Sequence, residues 1–345
     1  MIIDNYNIDS ESPVFIIAEL SANHNGSLET ALETVRAAKR AGADCIKLQT
    51  YTADTMTINS QNDDFIIKGT IWDGQNLHEL YQEAYTPWEW HKEIMQVAKE
   101  EGLICFSSPF DPTSVDFLEE LDVPAYKIAS FEITDIPLIE YVASKRKPVI
   151  ISTGIATLED IELALDACKR MGNHQIALLK CTSSYPAPIE EANMVMVKDF
   201  REKFGVISGL SDHTMGSTVP VVATCFGAKI IEKHFILDRS IGGPDASFSM
   251  NEQEFAEMVK AVREAEKATG KINYELTEKQ KSGKNFSRSL YVVKDIKAGE
   301  TITEDNVRSI RPGFGLHPKY FKEIIGKKAT KSINRGERLK LKNLN

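Results

Sequence analysis

The sequence predicts a (β/α)8 barrel followed by a small β-rich module, and three observations carry that expectation. Eight apolar runs of strand length alternate with helical patterns through residues 1–270. The runs are nearly continuous and rich in β-branched residues, which suits parallel strands buried on both faces. The alternation then stops in a Lys-, Glu- and Asn-rich stretch, 271–285, which reads as a linker. A doubly wound open sheet is the competing architecture, but no G-x-G-x-x-G follows the first strand.

Taken in order, the runs are VFIIAEL (14–20), CIKLQT (45–50), LICFSS (103–108), AYKIAS (125–130), PVIIST (148–153), IALLKCT (176–182), GVISGLSDH (205–213) and AKIIEKHF (228–235). Helix punctuation separates them. Ser27 caps a helix with Leu28, Ala31, Leu32 and Val35 on one face, and Gly42 stops it. Thr86-Pro87-Trp88-Glu89 reads as a capping box with proline at the first helical position, and Gly102 ends that helix. Asp111-Pro112 starts another. Thr157 with Asp160, and Asn251 with Glu254, open helices closed by Gly172 and Gly270. Shorter helices fit after Asp135, near 194–203 and at 217–226. Residues 52–86 are too long for an ordinary barrel loop and carry Trp72, Tyr81 and Tyr85. They fall on the face where a barrel keeps its active site, so they read as a substrate lid.

Composition narrows the function classes. Hydrophobic residues make up 42% of the chain, enough for a substantial core. No apolar run approaches the ~18 residues of a membrane span, and the N-terminus lacks the basic-then-apolar pattern of a signal peptide. Five dispersed cysteines read as reduced thiols of a cytoplasmic protein rather than a disulfide frame. A net charge of −9 argues against broad nucleic-acid binding while leaving room for a local basic pocket.

Residues 286–345 show an internal echo, Ile296-Lys297-Ala298-Gly299-Glu300 and Ile333-Asn334-Arg335-Gly336-Glu337, 37 residues apart. The pair suggests a small module with pseudo-two-fold symmetry. About 60 residues make a marginal core, so such a module is expected to need a partner surface.

Candidate chemistry sits at the strand ends. Alternate residues of a barrel strand face inward, and the last of them line the C-terminal mouth. Glu19 and Ser21, Lys47 and Gln49, Ser211 and His213, and Glu232 and His234 each share a face, polar where a structural residue would be aliphatic. Lys127 and Lys180 join them, with Ser107, Ser108, Ser130, Ser152, Thr153, Thr182 and Ser183. Lysines and hydroxyls around one mouth suit a phosphate and a carboxylate. Lys233 is excluded because parity puts it opposite His234. His213 and His234 close successive strands, each with an acid nearby in Asp212 and Glu232. They read either as two ligands of an open divalent-metal site or as core histidines satisfying hydrogen bonds.

Together these stretches resemble the sialic acid synthase family of phosphoenolpyruvate-condensing barrels. The matching segments are AELSANHNG (18–26), IKLQTY (46–51), SSPF (107–110), YKIAS (126–130), STG (152–154), KCTSSYP (180–186), GLSDH (209–213), EKHF (232–235) and GGPD (242–245). SLYVVKDIKAGE and SIRPGFGLHP resemble the antifreeze-like (SAF) domain that such synthases carry. AELSANH in place of E-I-G-x-N-H, with the segments FIIKGTIWDGQNLHELY (65–81) and YTPWEWH (85–91), is most similar to the pseudaminic branch. There the family reaction joins phosphoenolpyruvate to 2,4-diacetamido-2,4,6-trideoxy-L-altrose, giving a nine-carbon 2-keto acid and phosphate. The resemblance implies roles. His213 and His234 would be metal ligands for Mn²⁺, with Mg²⁺ or Co²⁺ as alternatives, and Glu19 the acid/base. Lys47, Ser108, Lys127, Ser130, Ser152, Ser183 and Ser211 would surround phosphoenolpyruvate, although Ser183 stands where the sialic acid enzymes often have Asn. Gln49, Glu132, Tyr185 and Asp245 would lie near the sugar. Arg311 would be the arginine that the SAF domain of one subunit inserts into its partner's barrel, implying a domain-swapped homodimer. The alternatives are a sialic or legionaminic acid synthase, a metal-dependent aldolase or isomerase, and a carbohydrate- or ice-binding protein on an inactive barrel. Against the ice-binding reading, the tail carries Lys297, Arg308, Arg311 and Lys319 rather than a flat Thr/Ala face.

Overall fold

The computed structural model describes residues 1–345 and divides into two compact units, Met1–Gly270 and Lys271–Asn345. A short antiparallel pair, β1 (Ile2–Ile3) and β2 (Tyr6–Asn7), precedes the first unit's barrel. Eight parallel strands then close on themselves. They are β3 (Phe15–Glu19), β4 (Cys45–Thr50), β5 (Ile104–Pro109), β6 (Tyr126–Ile128), β7 (Val149–Ser152), β8 (Ile176–Cys181), β9 (Ile207–Asp212) and β10 (Ile230–His234). Every apolar run became a barrel strand, because a strand buried on both faces needs apolar residues at both parities.

Outward residues such as Ile16, Ala18, Ile46 and Leu48 pack on Val35, Ala38, Ile94 and Phe255 of the surrounding helices. At the strand starts, Ile3 and Ile8 of the N-terminal hairpin share a buried cluster with Phe15, Ile17, Cys45 and Phe106. The hairpin thereby seals the end of the barrel opposite the polar strand ends. Its two-residue strands are too short to carry a periodicity that could be read beforehand. At Gly209 a Cβ would come within 2.3 Å of Ile230 O, so β9 reaches β10 only because that residue is glycine.

Helix starts follow their caps. Ser27, Asp111, Thr157 and Asn251 each accept a first-turn backbone N–H. One expected cap is absent. Pro87 rather than Thr86 is the N-cap, with no side-chain bond, and the chain enters through a 3-10 turn at Trp88–Trp90 before the helix His91–Glu100. The Thr86 hydroxyl instead lies 3.2 Å from His24 Nε2, a buried partner 62 residues away.

In the second unit, β11 (Ser289–Val292) and β12 (Val307–Ile310) pair antiparallel. Ile296 and Ile333 exchange backbone hydrogen bonds of 2.9 and 2.8 Å, so the two echoed turns meet at the symmetry point of the module. Within each turn the glutamate caps the loop: Lys297 N donates to Glu300 and Asn334 N to Glu337. The stretch read as a linker carries a short exposed helix, Glu278–Gly283, capped by Thr277.

Candidate active site

Parallel register brings the inward polar residues to one end of the barrel. Glu19 stands level with Lys47 on one side and His234 on the other. Glu232 is level with Ser211, and Gln49 with Ser108. Together they line a cavity of about 380 Å³. Lys127, Ser130, Glu132, Ser152, Ser183, Tyr185, His213 and Asp245 complete the set expected from the barrel. Ser108 is the exception: fully buried, it accepts from Lys47 Nζ at 3.3 Å and stands behind that lysine rather than on the wall. Arg311 belongs to the C-terminal unit, where it is exposed.

Several candidates prove structural. Lys180 points its ammonium at Cys181 O and Thr182 Oγ1, away from the cavity. Ser107 hydrogen-bonds Thr50, Thr153 donates to Leu179 O, and Thr182 donates to Glu191 O. Asp212 is no companion of His213. It faces outward, where Lys233 and the Thr214 hydroxyl bind it, as the parity of Lys233 requires.

Strand parity puts Glu232 on the inner face, but its role there emerges only from the structure. Its Oε1 lies 3.3 Å from both Lys47 and Lys127 and accepts from Ser211 Oγ at 3.2 Å. Burial alone would raise its pKa, but the two ammonium groups outweigh burial and hold it below the usual range. Glu19 goes the other way. Burial, with the charge of Glu232 nearby, outweighs its 2.9 Å pair with Lys47 and pushes it up to about 7. One carboxylate is thus the fixed counter-ion of the lysine pair, and the other holds an exchangeable proton near neutrality. Burial, aided by Lys47, lowers the pKa of Lys127. Gln49 Nε2 donates to Glu19 Oε1 and Ser21 Oγ, fixing the carboxyl; Ser21 sits at φ 46°, a left-handed turn that ends β3.

Beside Lys127, Ser152 and Ser183 bury their hydroxyls without a hydrogen-bond partner. Gly154 N donates to Ser130 Oγ at 3.1 Å. A Cβ on Gly154 would sit 2.0 Å from Ser183 Oγ and 2.7 Å from Ser130 Oγ, so the glycine is what lets these two hydroxyls converge. Buried donors left unpaired at such a point are apt for an anion's oxygens. In the sequence Gly154 stood out only as the last residue of the segment STG (152–154), with no role given to it.

The two imidazoles lie together, ring centroids 5.3 Å apart. His213 Nδ1 hydrogen-bonds Thr182 O at 2.9 Å, which in the neutral ring leaves Nε2 as the lone-pair nitrogen. His234 Nδ1 is buried, has no hydrogen bond, and lies 3.7 Å from Asp245 Oδ2. Burial and the neighbouring His213 keep His234 from taking a proton, so it stays neutral as a ligand must. No three His, Cys, Asp or Glu side chains close on one point. The donors present therefore fit an open divalent site whose other ligands are substrate or water, and do not fit a structural zinc.

Residues 52–86 form an ordered cover. Helices Ala53–Met56 and Leu77–Ala84 flank a turn held by the Ile66–Asn76 bridge. Trp72 reaches over, donating from Nε1 to Pro244 O at 3.2 Å and packing on Tyr185 at 5.7 Å.

A closed parallel barrel with a buried lysine–hydroxyl cradle and two histidines at its C-terminal mouth defines a barrel enzyme acting on a small anion. The comparisons with known proteins specify it further. The NeuB family model matches residues 34–274 and the SAF domain model residues 287–345, and the chain belongs to the NeuB family. It is 52% identical over 340 residues to the pseudaminic acid synthase of Campylobacter jejuni, covering 99% of this chain and 98% of that one. With the pseudaminic acid synthase of Helicobacter pylori it shares 50% over 325 residues, 93% and 95% of the two chains. Among solved structures, the N-acetylneuraminic acid synthetase of Leptospira borgpetersenii, in complex with citrate, superposes with TM-score 0.74 at 30% identity, over 82% of this chain and 94% of that one.

Proposed function

We propose that the barrel condenses phosphoenolpyruvate with open-chain 2,4-diacetamido-2,4,6-trideoxy-L-altrose, forming pseudaminic acid and phosphate. The observation that carries the reaction class is the meeting, in one buried cavity, of unpaired hydroxyls with two lysines and two imidazoles. The choice of sugar rests on identity: 50–52% to two pseudaminic acid synthases, against 30% to a sialic acid synthetase.

In this reading Ser130, Ser152 and Ser183 hold the phosphate, Lys47 and Lys127 neutralise the remaining anionic charge, and Ser211 lies beside them. Gln49, Glu132, Tyr185 and Asp245 orient the sugar. A divalent ion on His213 and His234, Mn²⁺ by donor type, would polarise the aldehyde oxygen when bound. C3 of phosphoenolpyruvate attacks the aldehyde carbon and positive charge develops at C2, beside the carboxylates Glu19 and Glu232. Water adds at C2 and gives one proton to Glu19, which passes it to the alkoxide formed from the aldehyde. The tetrahedral centre then expels phosphate by C–O cleavage, the C2 hydroxyl proton leaving with the phosphate and the keto group remaining. Arg311 would be supplied by a second copy in a domain-swapped homodimer. Five unpaired cysteines support a reducing, cytoplasmic setting, and no helix is long and apolar enough to cross a membrane.

The test is phosphate release from phosphoenolpyruvate with a panel of amino sugars. The diacetamido trideoxy sugar is expected to turn over fastest. Preference for N-acetylmannosamine would move the chain to the sialic branch, and silence with every sugar would favour a binding protein on an inactive barrel.

A further inference from the structure

The cavity has two unlike walls. The strand ends supply the charged groups and most of the hydroxyls, whereas the lid turns Met56, Ile67, Trp72, Leu77 and Leu80 toward the same space, with Thr70 and Tyr81 beside them. These five are half-buried and belong to none of the three hydrophobic clusters of the molecule. Apolar side chains held away from the core and aimed into a binding cavity form a ligand surface. The one polar group among them, the Trp72 indole N–H, is already committed to Pro244 O at 3.2 Å.

We propose that this lid face is the specificity determinant of the site. It selects a sugar whose far end is methyl-terminated, with acetamido methyls and a 6-deoxy carbon, over one ending in hydroxymethyl. The inference rests on the phosphoenolpyruvate-condensing reading and adds the residues that choose the acceptor. A hydroxyl carried against these five side chains gives up water without finding a hydrogen-bond partner among them, a penalty that limits discrimination in an apolar pocket to roughly 10–100-fold. Polar partners introduced on the lid remove that penalty.

The experiment compares kcat/KM for the 6-deoxy diacetamido sugar with that for its 6-hydroxy analogue, in the unmodified protein and in Leu80→Gln, Met56→Gln and the double variant. All sit on a partly exposed insert outside the core, and melting temperature checks folding. The unmodified protein is expected to favour the 6-deoxy sugar about tenfold or more. In the double variant that ratio falls about tenfold, through KM for the sugar, while KM for phosphoenolpyruvate stays within twofold. Leu80→Met keeps the original ratio. An unchanged ratio in a folded double variant overturns the proposal, as does an unmodified protein indifferent to the 6-hydroxyl. Absence of phosphoenolpyruvate-dependent phosphate release from the unmodified protein with either sugar overturns the parent reading instead.

Discussion

At the scale of single residues, the division of labour between Glu19 and Glu232 is the site's most distinctive electrostatic feature. The two have folded pKa values moved in opposite directions from 4.5, so they leave opposite marks on stability. Glu19 is raised to about 7. Unfolded chains lose that proton near 4.5, so its effect is a loss of stability as pH rises from about 4.5 to about 7. Glu232 is depressed; its contribution is present above the unfolded value and disappears as pH falls below it. Glu19→Gln is therefore expected to shrink the drop in melting temperature between pH 5 and pH 7.5, and an identical drop in both proteins would refute the assignment. The same variant should lower kcat far more than it raises KM for phosphoenolpyruvate. His213→Ala and His234→Ala should each abolish turnover and weaken Mn²⁺ binding at least tenfold by calorimetry. Retained turnover in a strong chelator would contradict the metal role.

The elements explain which parts of this were legible. Strand parity alone placed Glu19, Lys47, Gln49, Ser211, His213 and His234 on the inner wall and kept Lys233 off it, because period-two alternation fixes facing without tertiary information. It could not rank hydroxyls. Ser107 and Ser152 look alike in sequence, yet one meets Thr50 on the outer side and the other stands unpaired in the cavity. Nor could it see that Lys47, Lys127 and Glu232, from three distant strands, share one charge balance, or that His24 would claim the hydroxyl of Thr86. Gly154 is the element-scale counterpart, a loop position defined by what surrounds it. Gly154→Ala is expected to raise KM for phosphoenolpyruvate more than tenfold at near-unchanged melting temperature, since the clash falls on mobile hydroxyls of the cradle. Normal affinity for phosphoenolpyruvate in that variant would remove the cradle from the phosphate.

Across the whole molecule, charge is divided sharply between the units. Residues 1–270 carry 23 Lys and Arg against 42 Asp and Glu, and residues 271–345 carry 18 against 8. The smaller unit rests on a core of nine buried residues, among them Leu290, Ile296 and Ile333, a scale at which a domain gains from a partner. In the proposed exchange between copies, the opposite net charges of the two units would attract one another. The homodimer is therefore expected by sedimentation at low salt and to weaken as salt screens the attraction; a monomer at all salt concentrations would contradict it. Arg311→Ala should then cut kcat without dissociating the dimer. The central claim, condensation at the C2–C3 double bond with C–O cleavage, is tested most directly by isotope. Phosphoenolpyruvate labelled with ¹⁸O at the bridging oxygen is incubated with the diacetamido trideoxy sugar, and both products are weighed by mass spectrometry. The account predicts that the label leaves in the phosphate while the nine-carbon acid carries an unlabelled, water-derived keto oxygen. Label retained in the acid, or no nine-carbon acid at all, would contradict it.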